Sequence, residues 1–172
     1  MHYTSWDRSD KENPVLLVEE GPETLGNFQP RSAEVEGDFW RLDINDLGAS
    51  ATLGDGRVFW LSGKLARDSR LEASLDGRTF SFINEAGGEW IVEDVNGTKI
   101  AQFSSKNSGV RRAVLEFEGE ERSDEGDLTH AEVAGLSWFT RAILEARTQS
   151  KALPIIATLV LCSIVAVIAV LI

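Results

Sequence analysis

No charged residue stands between Leu153 and Ile172, and 17 of these 20 residues are apolar, the exceptions being Pro154, Thr158 and Ser163. Twenty residues at about 1.5 Å of rise make about 30 Å of helix, the thickness of a bilayer's hydrocarbon core. The run holds Leu153, Pro154, Ile155, Ile156, Leu159, Leu161, Ile164, Ile168, Leu171 and Ile172. It is apolar on every side, with no 3.6-residue stripe, as suits a helix surrounded by lipid. Pro154 falls near the start, where a missing N–H costs little. Val and Ile are weak helix formers in water, but in lipid only a helix satisfies the backbone. The expectation is a single transmembrane helix over 153–172. The alternative is a buried core helix of a soluble protein.

The flanks set an orientation. Trp138, Arg141, Arg147 and Lys151 precede the run and form an expected interfacial flank, with no charge after it. Positive residues stay on the cytoplasmic side. The first ten residues are polar and do not read as a signal peptide. The expected layout is a single-pass, tail-anchored membrane protein with its N-terminal part in the cytoplasm. Cys162 lies within the run and reads as a small apolar residue. No Gly-xxx-Gly pair favours tight self-association of the span.

The rest of the chain is mainly β in pattern. Residues 1–14 are polar, end in Asn13-Pro14 and read as a flexible arm. Over 15–119, Asp55-Gly56, Asp76-Gly77, Gly87-Gly88 and Asn96-Gly97 separate strand-length apolar runs. Each pair supplies residues that accept positive φ in a tight hairpin. Trp40, Leu42 and Ile44 share one face, as do Leu71, Ala73 and Leu75, Phe80 and Phe82, and Trp90 and Val92. Ala113, Leu115 and Phe117 alternate with Val114, Glu116 and Glu118. Val58 to Leu61 is apolar on both faces and reads as a more central strand. Trp40, Trp60 and Trp90 are expected in the core. The fold class is an antiparallel β-meander or barrel-like cytoplasmic domain, then an amphipathic helix, then the transmembrane helix.

Residues 120–128 form an acidic stretch without the ligand spacing of a calcium loop, and read as a solvated loop. Thr129-His-Ala-Glu132 fits a capping box. Val133, Leu136, Phe139 and Ile143 then mark an amphipathic helix over 129–148. It either packs on the sheet or lies along lipid headgroups with Trp138, Arg141, Arg147 and Lys151.

Composition narrows the chemistry. Lys and Arg number 17 against 28 Asp and Glu, a net charge of −11, which opposes nucleic-acid binding. One Cys and two His, His2 and His130, offer no metal cluster and few general bases. No nucleophile elbow, phosphate loop or dinucleotide fingerprint occurs. The chain therefore reads as a non-catalytic protein without cofactors or metal. Its expected partners are the lipid bilayer and one or more membrane-associated proteins, as an adaptor or accessory subunit.

Gly56-Arg-Val-Phe-Trp-Leu, Leu75-Asp-Gly-Arg-Thr-Phe-Ser-Phe-Ile and Trp90-Ile-Val-Glu-Asp-Val-Asn-Gly-Thr-Lys-Ile-Ala repeat a pattern of strand, polar Gly turn and strand. Across about residues 50–103 this pattern resembles the tubby C-terminal-like superfamily, which includes LURP-one-related proteins and phospholipid scramblases. The resemblance implies a β-barrel closed around a hydrophobic C-terminal helix, and a lipid-binding or lipid-moving role. On that reading either 153–172 or the helix beginning at Thr129 fills the barrel. The resemblance assigns no site residues, and the only adjacent basic pair is Arg111-Arg112.

Overall fold

The computed structural model describes residues 1–104, 114–118 and 128–171, with side chains described as far as Ser150. The expected loop 120–128 and the pair Arg111-Arg112 therefore lie outside the described residues, Leu128 excepted. So do the side chains of Lys151 and of the whole run Leu153 to Ile172.

Twelve strands follow one another: β1 Tyr3–Asp7, β2 Val15–Val18, β3 Thr24–Phe28, β4 Ser32–Val35, β5 Asp38–Asn45, β6 Gly48–Thr52, β7 Val58–Ser62, β8 Arg70–Leu75, β9 Arg78–Ala86, β10 Glu89–Asp94, β11 Lys99–Ser104 and β12 Leu115–Phe117. Each pairs antiparallel with the next, and β12 pairs with β1 through Tyr3–Glu116 and Thr4–Leu115, so the sheet is a closed barrel. Closure removes both open sheet edges. The helix α1, His130–Leu171, follows.

The tight turns form as their residues dictate. Asp76 and Gly77 take φ of 52° and 80°, the two positive values of a type I′ hairpin turn. Glu36-Gly37 makes the same turn between β4 and β5 with φ of 50° and 81°.

Eight strands enclose a space that side chains alone can fill, whereas twelve leave a lumen. Here α1 fills it. Every residue from Glu132 to Thr140 is buried, as are Ala142, Ile143 and Leu144. Contacts reach α1 from around the wall. Phe139 meets Phe82 of β9 edge-to-face at 6.5 Å, Ser137 meets Thr4 of β1, and Arg147 lies over Trp90 of β10. Small inward residues, Ala33, Ala49, Ala51, Ala73 and Ala101, leave room for a helix about 10 Å across. Packing is tight at Gly135, where a Cβ would lie 2.7 Å from Leu75 and 2.9 Å from Phe59.

Several expectations change. The polar arm contains β1, whose Thr4 and Trp6 face inward and whose backbone completes the barrel. The helix expected over 129–148 is not amphipathic in place, because barrel wall surrounds it and no long face meets solvent. It also does not stop: α1 is continuous from His130 to Leu171, so Pro154 stands inside a helix and not at the start of one. Trp138, expected at the headgroups, is 6% exposed inside the barrel. Strand β7 alternates, with Phe59 and Leu61 inward, while Val58 and Trp60 are 49% and 42% exposed. Trp60 is thus a surface residue, and Trp40 and Trp90 are core.

Candidate functional site

The strand order sorts the connections into two ends. The turns β2/β3, β4/β5, β6/β7, β8/β9 and β10/β11 lie at the end where α1 enters, and the alternate loops lie where it leaves.

At the entry end Thr129 and Glu132 form the expected capping box. Glu132 Oε2 accepts from the Thr129 N–H at 2.8 Å, and the Glu132 N–H donates to Thr129 Oγ1 at 3.2 Å. Arg78 Nη1, beside the β8/β9 turn, donates to the same carboxylate oxygen at 3.2 Å. Glu132 is 1% exposed and Arg78 reaches it from the solvent edge, so this charged hydrogen bond ties the helix start to the wall. His130 Nδ1 lies 2.5 Å from Glu36 Oε1 at the β4/β5 turn, both exposed. The turns here are acidic, carrying Glu19, Glu20, Glu23, Glu36, Asp55 and Asp76. Arg57 bridges two of them, binding Asp55 at 2.6 Å and also Asp76.

At the exit end two guanidinium groups cover inward-facing tryptophans. Arg141 stands 4.8 Å over the Trp6 ring and bonds Glu145 at 2.8 Å. Arg147 stands 4.6 Å over Trp90, and its Nη2 donates to the Asp68 carbonyl in the β7/β8 loop. Burial pushes the Arg147 guanidinium below its usual value, with the Asp68 charge opposing. Of the expected interfacial flank, then, Trp138 and Arg141 are structural members of the lumen, and Arg147 fastens the helix at the mouth.

Beside Ala146 lies a cavity of about 460 Å³ between the β5/β6 tip and the β7/β8 loop, with Ile44 and Leu65 on its apolar side and Lys64 and Arg67 on its rim. Ile44 is 50% exposed, and Leu47, next to this cavity on the tip, is 81% exposed. The tip is held firmly: the Leu47 N–H donates to Asn45 Oδ1 at 2.8 Å, and the Leu47 carbonyl accepts from Gly63 N–H at 2.9 Å.

No family model, curated protein or solved structure matches the chain.

Among the described residues no group of three His, Cys, Asp or Glu side chains is placed to hold a metal ion. Sequence reasoning missed the exposed Trp60, Phe39 and Leu47. Phe39 and Trp60 were legible as the outward members of alternating strands β5 and β7, whose neighbours Trp40 and Phe59 are buried.

Proposed function

We propose that this chain is a non-catalytic, membrane-anchored adaptor whose barrel serves as an accessory subunit of a larger membrane assembly. The observation that carries this reading is the occupied lumen. Residues 132–144 already fill the barrel, so among the described residues no lumen is left for the uncharged run Leu153–Ile172. Leaving about twenty aliphatic residues in water is unfavourable, and a bilayer is the environment their length matches. Among the described residues no helix is long and apolar enough to cross a membrane. The proposed span is therefore read from the sequence of 153–172.

Two surfaces suit a protein partner. The acidic turns at the entry end point away from the proposed anchor, which favours a basic partner. Phe39, Val58 and Trp60 stand outward on β5 and β7, at 64%, 49% and 42% exposure, and an exposed Trp is a common anchor of binding energy.

The test is fractionation of cells expressing the full chain, followed by purification in mild detergent. The chain should resist alkaline extraction from membranes, deletion of 153–172 should release it, and a stoichiometric partner should co-purify and weaken with Trp60→Ser. A freely soluble full chain overturns the anchor, and a monomer without a partner overturns the adaptor. The second reading, a lipid-binding module of the tubby-like kind, draws on the same helix-filled barrel. It requires that the barrel itself bind vesicles.

A further inference from the structure

We propose that the exit rim of the barrel is a membrane-contact face, with Leu47 and Ile44 entering the headgroup region of an anionic leaflet and Lys64 and Arg67 meeting lipid phosphates. This rests on the reading of Leu153–Ile172 as the anchor.

Three observations converge on this rim. First, its distance from the uncharged run is short. α1 continues without interruption past the mouth, and Ala146, which lines the rim cavity, precedes Leu153 by seven residues, about 10 Å of helix. The headgroup layer is about 5–8 Å thick on each side of the hydrocarbon core, so the rim stands at its outer edge. With the uncharged run in the core, the tip residues stand within a few ångströms of the headgroups. Second, the tip presents apolar surface that no described residue covers. Leu47 is fixed by two backbone hydrogen bonds and still leaves 81% of its area to solvent. Third, Lys64 and Arg67 are exposed and form no ion pair among the described residues. Asp68 nearby spends one carboxylate oxygen on the Lys64 backbone N–H at 2.8 Å. Asp46, beside Leu47, is the acidic residue of the tip. The opposite end carries its own exposed apolar residue, Val95 at 79%, but next to Glu93 and Asp94 rather than cations. Of the described turns, those at the exit end suit an anionic leaflet better than those at the entry end.

The experiment uses the full chain with Cys162→Ser, carrying an environment-sensitive fluorophore at Leu47→Cys or, as control, at Val95→Cys. Each is reconstituted into phosphatidylcholine vesicles with or without phosphatidylserine, and lipid-borne quenchers report depth. The expected result is blue-shifted, strongly quenched emission at 47, greater with phosphatidylserine, and water-like emission at 95. Adding Lys64→Glu and Arg67→Glu should remove the phosphatidylserine dependence, since two basic residues near such a surface shift the equilibrium by about thirty-fold. A chain that floats with the vesicles but is as water-exposed at 47 as at 95 overturns the contact face and leaves the anchor standing. A chain that does not float overturns both.

Discussion

The Oγ1 of Thr4 in β1 and the Oγ of Ser137 in α1 lie 2.7 Å apart, with both side chains fully buried. One hydrogen bond thus joins the first strand to the helix inside the barrel, across 133 residues of sequence. Ser137→Ala leaves the Thr4 hydroxyl buried without a partner and should cost about 1–3 kcal/mol. Thr4→Val added to Ser137→Ala should recover part of that loss, so the two single costs will not add. Urea unfolding of the four variants measures the coupling, and simple additivity would show that the pair is not joined.

Gly135 sits where α1 packs tightly against β7 and β8. Leucine there must displace Leu75 and Phe59, and overpacking of this kind costs about 1–3 kcal/mol. Thermal unfolding of Gly135→Leu should show a lowered midpoint, whereas Gly37→Leu, at a turn with nothing within 4 Å of its Cβ position, tests only the positive φ of that turn.

Thr140 is buried in the lumen and its hydroxyl has no hydrogen-bond partner among the described residues. Thr140→Val keeps the shape and removes the unpaired polar group, so it should raise stability by about 1 kcal/mol. A lowered denaturation midpoint would mean that the hydroxyl is bonded in solution.

Asp55 has its carboxyl lowered from the usual Asp value, first by the Arg57 backbone N–H and then by the Arg57 guanidinium. A lowered folded value means that its stabilisation is complete above the ordinary Asp range and is lost as the pH falls through the folded value. A carboxyl NMR titration should place Asp55 below an Asp in an unstructured peptide. Arg57→Gln should move it back only partway, because the backbone donor remains.

Hairpins were the most legible part of the fold, because Asp76-Gly77 and its counterparts fix both chain reversal and strand phase. Strand β1 was hidden by its own chemistry. Thr4 faces inward to meet a serine, so the strand shows one large apolar residue, Trp6, and looks like a polar arm. The helix left two readings open, a sheet-facing stripe and a barrel filling. Val133, Leu136, Phe139 and Ile143 form a stripe, but Ala134, Gly135, Ser137, Trp138 and Thr140 between them are uncharged too. A helix without charges on its second face has no solvent side, and that absence of charge was the available signal for a lumen. At the exit rim the exposed phase of Leu47 follows from a two-residue connection, which alternation alone does not reveal.

Pro154 has the largest mechanical consequence. A proline within α1 cannot return an N–H to the carbonyl of Ser150, four residues earlier. The turn between barrel and distal segment therefore has one hydrogen bond fewer than its neighbours, just beyond the point where Arg147 is fastened to Asp68. Bending concentrates at such a place. Tilt between the barrel and the distal helix is therefore taken up most cheaply at this turn.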